Sequence, residues 1–431
     1  MDLTLGYQQT EAGVIPTDWI STTVREIASP IRNAIVGGPF GSDLVSADYV
    51  DSGVPVVRGQ NMGRRFVSGE FAFVTAGKAR SLEANLARPG DLIFTQRGTL
   101  GQVSLVPDHP YGQYLVSQSQ MKLTVDRKIA DSRFFYHVFS GAEQQGFIRL
   151  STIQTGVPHI NLGILRAIPV QRPSLGEQQA IAEALSDADS LIESLEQLLA
   201  KKRQLKQGAM QELLTGKRRL PGFIREWEVR ALGAEVVALE AGVSVNSTDA
   251  GADLEPGNAA ILKTSCVHRG VFRPGECKRI LPKDVSRARL NPRADTILIS
   301  RMNTIDLVGE CGYVDSDYPY LFVPDRLWMT RFRKDAEVSA RWLSYTLSSE
   351  RYRDLLKAAA TGTSGSMKNI AKGTLLSLEI NFPPILEQTA IAAVLSDMDA
   401  EMAAMEAKLT KARSLKQGMM QELLTGRIRL V

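Results

Sequence analysis

The sequence predicts an α+β fold in which two globular heads alternate with two long helices, and three observations lead to this prediction. The first is an internal repeat, because residues 177–220 recur as residues 387–430 with 26 of the 44 positions identical. The second is a helical periodicity in both copies, and the third is a looser correspondence between the segments that precede them. A repeat of this strength indicates one structural unit used twice. We therefore expect an internal pseudo-twofold repeat.

Each copy of the repeat carries an apolar stripe of the kind that a long amphipathic helix presents. We expect the stripe to continue through Leu205 and Leu415, and the helices to stop at Gly216 and Gly426. Each helix of about 38 residues would be roughly 57 Å long. The residues predicted to pair the helices are Ile181, Leu185, Ile192, Leu195 and Leu199 in the first copy and Ile391, Leu395, Met402, Met405 and Leu409 in the second.

The distribution of charge suggests the direction of helix pairing. Acidic residues between 187 and 196 crowd the first half of one helix, and basic residues between 411 and 416 crowd the second half of the other. An antiparallel coiled coil would bring these charges together, although the same pattern also complements the dipole of each helix. Gly208 and Gly418 lie inside the helices, where each costs about 1 kcal/mol relative to alanine. Close helix approach or a bound partner would explain them.

The whole chain divides into four consecutive segments. These are a first head (residues 1–172), a first helix (173–220), a second head (221–382) and a second helix (383–431). The first head contains strand candidates at Val54–Val57, Leu92–Thr95 and 103–106, followed by a helical run at 132–147. Nearly constant helices with divergent heads are what a two-part recognition protein needs. A duplication that drifted without a functional reason would look similar.

Composition narrows the class of protein. A chain of 431 residues suggests two to four domains, and 44% hydrophobic with 23% charged residues indicates a globular protein. No apolar run is long enough to span a membrane, and the first residues lack a signal segment, so we expect a cytoplasmic location. Three widely spaced cysteines exclude a disulfide framework and form no metal motif. The net charge of +4 permits an anionic partner.

Polar side chains follow the predicted strands at matched places in both heads. Arginine reads guanine and asparagine or glutamine reads adenine, whereas lysine, serine and threonine contact phosphates. For a single residue, a solvated strand end is the alternative, but the recurrence indicates DNA binding. The candidates are Arg58, Gln60, Asn61, Gln96, Arg97 and Thr99 in the first head and Lys263, Ser265, Arg301 and Asn303 in the second.

A loop of small residues follows in each head, with Thr155 in the first and Ser364 and Lys368 in the second. Backbone amides in such loops can approach a phosphate, and a flexible loop is the alternative. The spacing is not that of a P-loop, and the sequence lacks dinucleotide, methylation, metal and nucleophile-elbow motifs. Any catalysis is therefore expected from a partner.

With these residues identified, the chain resembles the specificity subunit of type I restriction-modification systems, which act in host defence. The resemblance rests on Gly-Pro-Phe-Gly-Ser at 38–42, Val-Pro-Val-Val-Arg-Gly-Gln-Asn at 54–61, Ile-Ser-Arg-Met-Asn-Thr at 299–304 and the Pro-x-x-x-Glu-Gln openings at Pro173 and Pro383. It implies two target-recognition domains, each reading one half of an asymmetric bipartite site in double-stranded DNA. The first head departs from the pattern of Arg301 and Asn303, because it has Arg97 and Thr99.

The same resemblance implies a non-catalytic chain that binds no cofactor itself. Its partners would be two methyltransferase (modification) subunits, which use S-adenosylmethionine to methylate adenine, and restriction or translocase subunits, which use ATP and Mg²⁺. A stand-alone bipartite DNA-binding or scaffold protein that recruits another enzyme is the alternative function.

Overall fold

The structure is a computed structural model that describes residues 6–11, 13–154, 157–249, 258–362 and 367–430. It separates into two compact units. The first unit contains Met1–Glu196 together with Ala407–Val431, and the second contains Gln197–Glu406. Each unit therefore holds one head and half of each long helix. This grouping cuts across the four consecutive segments predicted from the sequence, because both helices belong to both units.

The first head contains a sheet of strand order β10-β9-β12-β4 and another of order β5-β7-β6-β11-β8. Its strands are β1 (Tyr7–Thr10), β2 (Gly13–Pro16), β3 (Ile20–Thr23), β4 (Ile35–Gly37), β5 (Tyr49–Val50), β6 (Val54–Val57), β7 (Ala72–Val74), β8 (Leu86–Ala87), β9 (Leu92–Thr95), β10 (Val103–Leu105), β11 (Tyr114–Val116), β12 (Gln120–Leu123) and β13 (Pro169–Arg172). The predicted strands at 54–57 and 92–95 are present as β6 and β9. Both are fully buried, as their unbroken apolar runs require.

The helical run predicted for residues 132–147 is divided into two helices at Gly141. The carboxylate of Asp131 accepts hydrogen bonds from the backbone amides of Arg133 (2.8 Å) and Phe134 (3.3 Å), which starts the first of them. The helices of this head are α1 (Val24–Ile27), α2 (Ala76–Ser81), α3 (Ser132–Ser140), α4 (Ala142–Leu150) and α5 (Leu162–Ala167). The first long helix, α6 (Leu175–Leu213), follows.

The second head repeats the central part of both sheets of the first, with two additional strands in one sheet and one strand fewer in the other. Its sheets have the orders β15-β25-β21-β23-β19-β18 and β16-β20-β17-β24. Its strands are β14 (Glu228–Ala231), β15 (Val236–Glu240), β16 (Ser247–Thr248), β17 (Ala260–Leu262), β18 (Val267–His268), β19 (Gly270–Phe272), β20 (Cys277–Ile280), β21 (Thr296–Ser300), β22 (Met302–Asn303), β23 (Cys311–Val314), β24 (Leu321–Phe322), β25 (Leu327–Phe332), β26 (Lys368–Asn369) and β27 (Glu379–Phe382). Its helices are α7 (Ala340–Ser348), α8 (Glu350–Ala358) and α9 (Lys372–Leu376), and the second long helix, α10 (Ile385–Leu423), completes the order.

The long helices, each of 39 residues, pair in the antiparallel direction. In the first unit, Lys416 Nζ near the end of α10 lies 2.5 Å from Asp189 Oδ1 near the start of α6. In the second unit the roles are exchanged, because Lys206 Nζ lies 2.5 Å from Asp399 Oδ1. Both ion pairs join the first half of one helix to the second half of the other. The predicted antiparallel pairing is therefore confirmed.

The ten residues predicted to pair the helices are all buried or half-buried. The predicted continuation of the stripe is wrong, because the side chains of Leu205 and Leu415 are 53% and 61% exposed. Each follows a buried leucine, Leu199 or Leu409, by six residues. At about 100° per residue, this step carries the side chain about 240° around the helix and away from the partner helix.

The start of each long helix is fixed to the chain that follows the other helix. The buried carboxylate of Glu177 accepts hydrogen bonds from Arg429 Nη2 (2.8 Å) and Trp19 Nε1 (3.1 Å). We call this contact the latch of the first unit. The latch of the second unit consists of Glu387, Arg219 and Trp227, with corresponding distances of 2.7 and 3.1 Å.

The glutamine after each latch glutamate fixes the head to the helix. Gln178 Oε1 accepts from the backbone amide of Asp131 (2.9 Å), just before α3. Gln388 Oε1 accepts from the backbone amide of Ser339 (2.9 Å), just before α7. The Glu-Gln openings are thus structural, since each pair orients one head on its helix.

Candidate nucleic-acid interface

Polar residues of the first head meet at one edge, where several strands end. Strands β4 and β9 both run antiparallel to β12, so their C-terminal ends lie beside its N-terminal end. Strands β6 and β11 run parallel, and residues 117–119 connect the end of β11 to β12. The polar edge of the first head, as we define it, comprises residues 38–42, 58–60, 96–99 and 117–119. It unites the two strand-end clusters predicted from the sequence.

The turn at residues 117–119 holds this polar edge together through backbone hydrogen bonds. The amide of Ser117 donates to the carbonyl of Val57 (3.0 Å), and the amide of Gln96 donates to the carbonyl of Ser119 (2.7 Å). The amide of Gly38 donates to the carbonyl of Gln120 (3.0 Å). Side chains that follow β4, β6 and β9 are thus carried on a common rigid frame, as a recognition site requires.

The small-residue loop of the first head adjoins the same edge. Arg97 forms an isolated β-bridge with His159, and the amide of Ile160 donates to the carbonyl of Gln96 (3.1 Å). The loop that begins near residue 151 therefore returns beside the end of β9. Thr155, predicted to contact DNA, lies outside the described residues.

The second head presents an equivalent polar edge, made of residues 241–246, 263–265, 301–304 and 323–326. Strand β25 runs antiparallel to β15 and β21, and β24 runs parallel to β17, which is the topology of the first head. The amide of Arg301 donates to the carbonyl of Arg326 (3.1 Å). Strand β22 pairs with β26, so that Asn303 lies opposite Lys368. Ser364 lies outside the described residues.

Most of the predicted DNA-contacting side chains reach the surface at these edges. Those of Gln60, Arg97, Thr99 and Ser265 are exposed, whereas those of Arg58, Gln96, Lys263, Arg301, Asn303 and Lys368 are half-buried. Several of them also bond within the head. Gln60 Nε2 donates to the carbonyl of Glu70 (3.1 Å), Ser265 Oγ to Glu276 Oε2 (2.8 Å), Asn303 Nδ2 to Ser300 Oγ (3.3 Å) and Lys368 Nζ to the carbonyl of Gly362 (2.7 Å). Lys263 Nζ lies 3.9 Å from Asp249 Oδ1. The structure brings these residues to two matching surfaces, one in each head.

Asn61 is an exception that corrects the sequence-based prediction. Its side chain is fully buried, and its amide nitrogen donates to the carbonyls of Ser68 (3.1 Å) and Glu70 (2.9 Å). Its amide oxygen accepts from the backbone amide of Arg58 (3.1 Å). Every polar group of Asn61 is therefore used inside the head, where it positions Arg58 instead of contacting DNA.

Two arginines at the edges retain unused hydrogen-bonding capacity. Arg58 Nε and Arg301 Nε have no hydrogen-bond partner within the described part of the chain. The guanidinium of Arg301 also lies over the ring of Trp328, with 5.9 Å from Cζ to the ring centroid. These Nε atoms are themselves buried, so contact with a base or a phosphate would be made by the terminal nitrogens of each guanidinium, whose fork geometry is suited to bidentate recognition.

The described residues at these edges do not favour a metal site or a reactive thiol. Among the described residues, no group of three or more His, Cys, Asp or Glu side chains could hold a metal ion. Burial raises the pKa of the Cys266 thiol, which lies behind Lys263, so a reactive thiolate is disfavoured. Within the same described ranges, no helix combines the length and hydropathy needed to cross a membrane.

The structure adds residues that the sequence-based analysis missed. Residues 117–119 and 323–326 form the turns on which the edges are built, and Gln118 and Arg326 are exposed there. The run Ser-Gln-Ser-Gln between two buried strands was a usable signal for the first turn. Residues 38–42 also lie at the edge, although in the sequence they indicate only the family resemblance.

Comparisons with known proteins agree with this arrangement. The family model described as the type I restriction modification DNA specificity domain matches residues 51–203 and 224–412. The MjaVIII specificity subunit of a type I restriction enzyme from Methanocaldococcus jannaschii is 27% identical over 73% of this chain and 75% of its own length. The EcoKI specificity subunit of Escherichia coli is 23% identical over 97% of this chain and 90% of its own. The crystal structure of an S subunit from M. genitalium has a TM-score of 0.62, with 14% identity and 98% coverage of both chains.

Proposed function

Because the chain belongs to the type I restriction-modification DNA specificity family and so recognises a DNA target, we propose that each head reads one half of an asymmetric bipartite site. One observation carries this proposal. Both heads present the same kind of polar edge on the same topology, but with different side chains, while the helices between them are nearly constant. Two readers with different specificity on one scaffold are what an asymmetric target requires.

The chemistry of each edge supports base reading in one groove together with phosphate contacts. In the first head, Gln96 and Arg97 can form bidentate hydrogen bonds with adenine and guanine. In the second head, Arg301 and Asn303 supply the same pair of chemistries in the opposite order along the chain. Lys263 and Lys368 are suited to phosphates, which position the protein without reading the sequence.

The exposed surfaces of the long helices support docking of two identical partner subunits. Leu205 and Leu415 are exposed at equivalent positions, three residues before Gly208 and Gly418. A Cβ at either glycine would have no described heavy atom within 4 Å, so close approach of the two helices does not explain the glycines. A small residue beside an exposed leucine, repeated in both helices, fits a partner helix that packs there twice.

We assign these two surfaces to the methyltransferase subunits of a type I complex. In this assignment the present chain supplies sequence recognition and no catalysis. The modification subunits would bind S-adenosylmethionine and methylate adenine, and the restriction subunits would use ATP and Mg²⁺.

Reconstitution with a modification methyltransferase from the same genome tests the function. We expect the purified chain alone to transfer no methyl group, and the complex to methylate adenine at a bipartite site with two different halves. Methyl transfer by the chain alone would contradict the non-catalytic assignment. Sequence-specific binding by the chain, without any association with a methyltransferase, would favour a stand-alone DNA-binding protein.

A further inference from the structure

The loop at residues 38–42 exposes an aromatic ring at the polar edge of the first head. The side chain of Phe40 is 74% exposed. Single exposed apolar residues are common and need no explanation by themselves. Phe40 is a candidate for DNA contact because its backbone is fixed and because it lies at the polar edge.

The backbone on both sides of Phe40 is anchored. A Cβ at position 38 would collide with the carbonyl of Ser117, so only glycine allows this close approach. Gln118 Nε2 donates to the carbonyl of Gly41 (3.1 Å), and the amide of Asp43 donates to the carbonyl of Phe40 (2.9 Å). The loop therefore holds the ring out in water instead of allowing it to fold onto the core.

The loop that carries the ring also begins beside a residue assigned to base reading. A Cβ at Gly37, at the end of β4, would lie 3.3 Å from Gln96 Oε1, so the loop begins beside the end of β9. Thymine is distinguished in the major groove by its methyl group, which Gln96 and Arg97 cannot recognise by hydrogen bonds. The methyl of Thr99 is the small apolar group next to them, and the exposed phenyl ring of Phe40 offers a larger apolar surface.

We propose that Phe40 is a specificity-determining residue of the first head, which packs on the 5-methyl group of a thymine in the first half-site. This inference rests on the proposed function, because it assumes that the polar edge reads DNA. The ring recognises the thymine by apolar contact with the methyl group. Removing the ring should therefore abolish the discrimination between thymine and uracil at that position.

The second head provides an internal control. Gly242 occupies the place of Gly38, since a Cβ there would collide with the carbonyl of Val323 in the equivalent turn. Two residues later the second head has Ser244, whose hydroxyl donates to the carboxylate of Asp325. The second head therefore carries no aromatic ring at this position, and the exposed apolar side chain of its loop is the smaller Val243, which is 38% exposed. Phe40→Ala should accordingly leave any thymine-methyl dependence of the second half-site unchanged.

The test uses the complete complex with its methyltransferase subunits and duplexes of the target determined by methylome sequencing. Each thymine of the first half-site is replaced in turn by uracil, which lacks only the methyl group. We expect one replacement to weaken binding by the wild-type complex about fourfold. The Phe40→Ala complex should bind the thymine duplex correspondingly more weakly and show no further loss with uracil. Ile20→Ala, which removes an exposed apolar side chain from β3 outside the polar edge, should leave the dependence unchanged.

Several results would overturn the proposal. They are an equal loss with uracil in the wild-type and Phe40→Ala complexes, an equal weakening of all DNA sequences by Phe40→Ala, and a first half-site that contains no thymine. Phe40→Leu, which keeps an apolar side chain, should retain part of the discrimination. If the wild-type complex bound no specific sequence, the proposed function itself would fail, and this outcome is distinct from the others.

Discussion

The two units share their framework and differ in what the framework carries. Both have a latch made of Glu, Arg and Trp, an antiparallel helix pair joined by a lysine and an aspartate, and a head with the same central strand topology. In the first unit Arg429 also pairs with Asp18. The polar edges differ, with Phe40, Gln96 and Arg97 in one head against Ser244, Arg301 and Asn303 in the other. The similar long helices and latches therefore serve assembly, whereas the divergent polar edges of the heads serve recognition.

The largest expected effect comes from removing the second head and the second long helix. A fragment of residues 1–220 keeps one head, one helix and Arg219, which can replace Arg429 at Glu177 of a second copy. We expect it to form a twofold-symmetric dimer, in which the acidic first half of one helix meets Lys202 and Lys206 of the other copy. With the methyltransferase added, methylation should move to an inverted repeat of the first half-site.

A shorter fragment is the matched control for this dimer. Residues 1–216 retain the helix but lack Arg219, so each latch loses its cation. We expect its dimer to be roughly ten-thousandfold weaker by sedimentation, because two latches of about 3 kcal/mol each lose their cation. If the longer fragment stays monomeric, the pairing account is wrong, and if it methylates the original asymmetric site, one head does not correspond to one half-site.

Each latch should stabilise only its own unit, and the two latches should contribute similar amounts of stability. Arg429→Ala leaves the buried Glu177 without its cation, and we expect it to destabilise the first unit by about 3 kcal/mol. This is the lower end for a buried pair, because a third of the Arg429 side chain is exposed. Arg219→Ala should do the same to the second unit only. Hydrogen exchange of peptides from each unit measures the change in its stability. Arg427→Ala is the control, because it removes an exposed ion pair and should change the stability by less than about 1 kcal/mol.

The units should respond differently to mild acid. Burial lowers the pKa of His137 to about 3, and Lys416, Arg65 and Arg133 add to the effect. The imidazole is therefore neutral at pH 7 and its 4.0 Å approach to Asp189 is not an ion pair. In the second unit Tyr345 takes its place and donates to Asp399 (2.7 Å), and its pKa is raised to about 12, chiefly by burial.

Because the folded-state pKa of His137 lies below the unfolded value, the unfolded chain binds a proton that the folded chain does not. This group should reduce the stability of the first unit by about 1.4 kcal/mol between pH 7.5 and 5.5, and further down to about pH 3. His137→Leu should remove that part of the pH dependence. Exchange-detected unfolding of each unit tests this, and an unchanged slope in the variant would refute it.

The smallest expected effects concern the helix glycines. Gly208→Ala and Gly418→Ala should each stabilise the isolated chain by about 1 kcal/mol, because open space surrounds both positions. Each should weaken binding of the methyltransferase subunit in titration calorimetry. Gly426→Ala is the contrasting control, since its Cβ would collide with the ring of Pro16 at a φ of +70° and should destabilise the chain. Stronger methyltransferase binding by either helix variant would contradict the docking assignment.

Much of this architecture was accessible from the sequence because repetition and periodicity are local signals. The apolar stripe from Ile181 to Leu199 and the strands β6 and β9 could be predicted from their own residues alone. Leu205 shows the limit of prediction from apolar periodicity. It fits the apolar pattern of the sequence, but it lies six residues after Leu199, which turns its side chain away from the partner helix.

The candidate site was only partly predictable, because it is assembled from segments distant in sequence. Arg58 and Arg97 were identifiable as strand ends, but the turn at residues 117–119 that joins them is revealed only by strand pairing. Asn61 looked like a base reader until its burial became visible. Phe40 belonged to a motif whose sequence does not indicate whether its ring is buried or exposed.

The central claim is that each head independently reads one half-site, and methylome sequencing tests it most directly. Cells would express the complex with Arg301→Ala and Asn303→Ala together, or with Arg97→Ala. The account predicts that the first variant relaxes one half of the methylated site, with about 1 to 3 kcal/mol lost per contact. It predicts that Arg97→Ala relaxes only the other half. Relaxation of both halves by either variant, or of the same half by both, would contradict the claim.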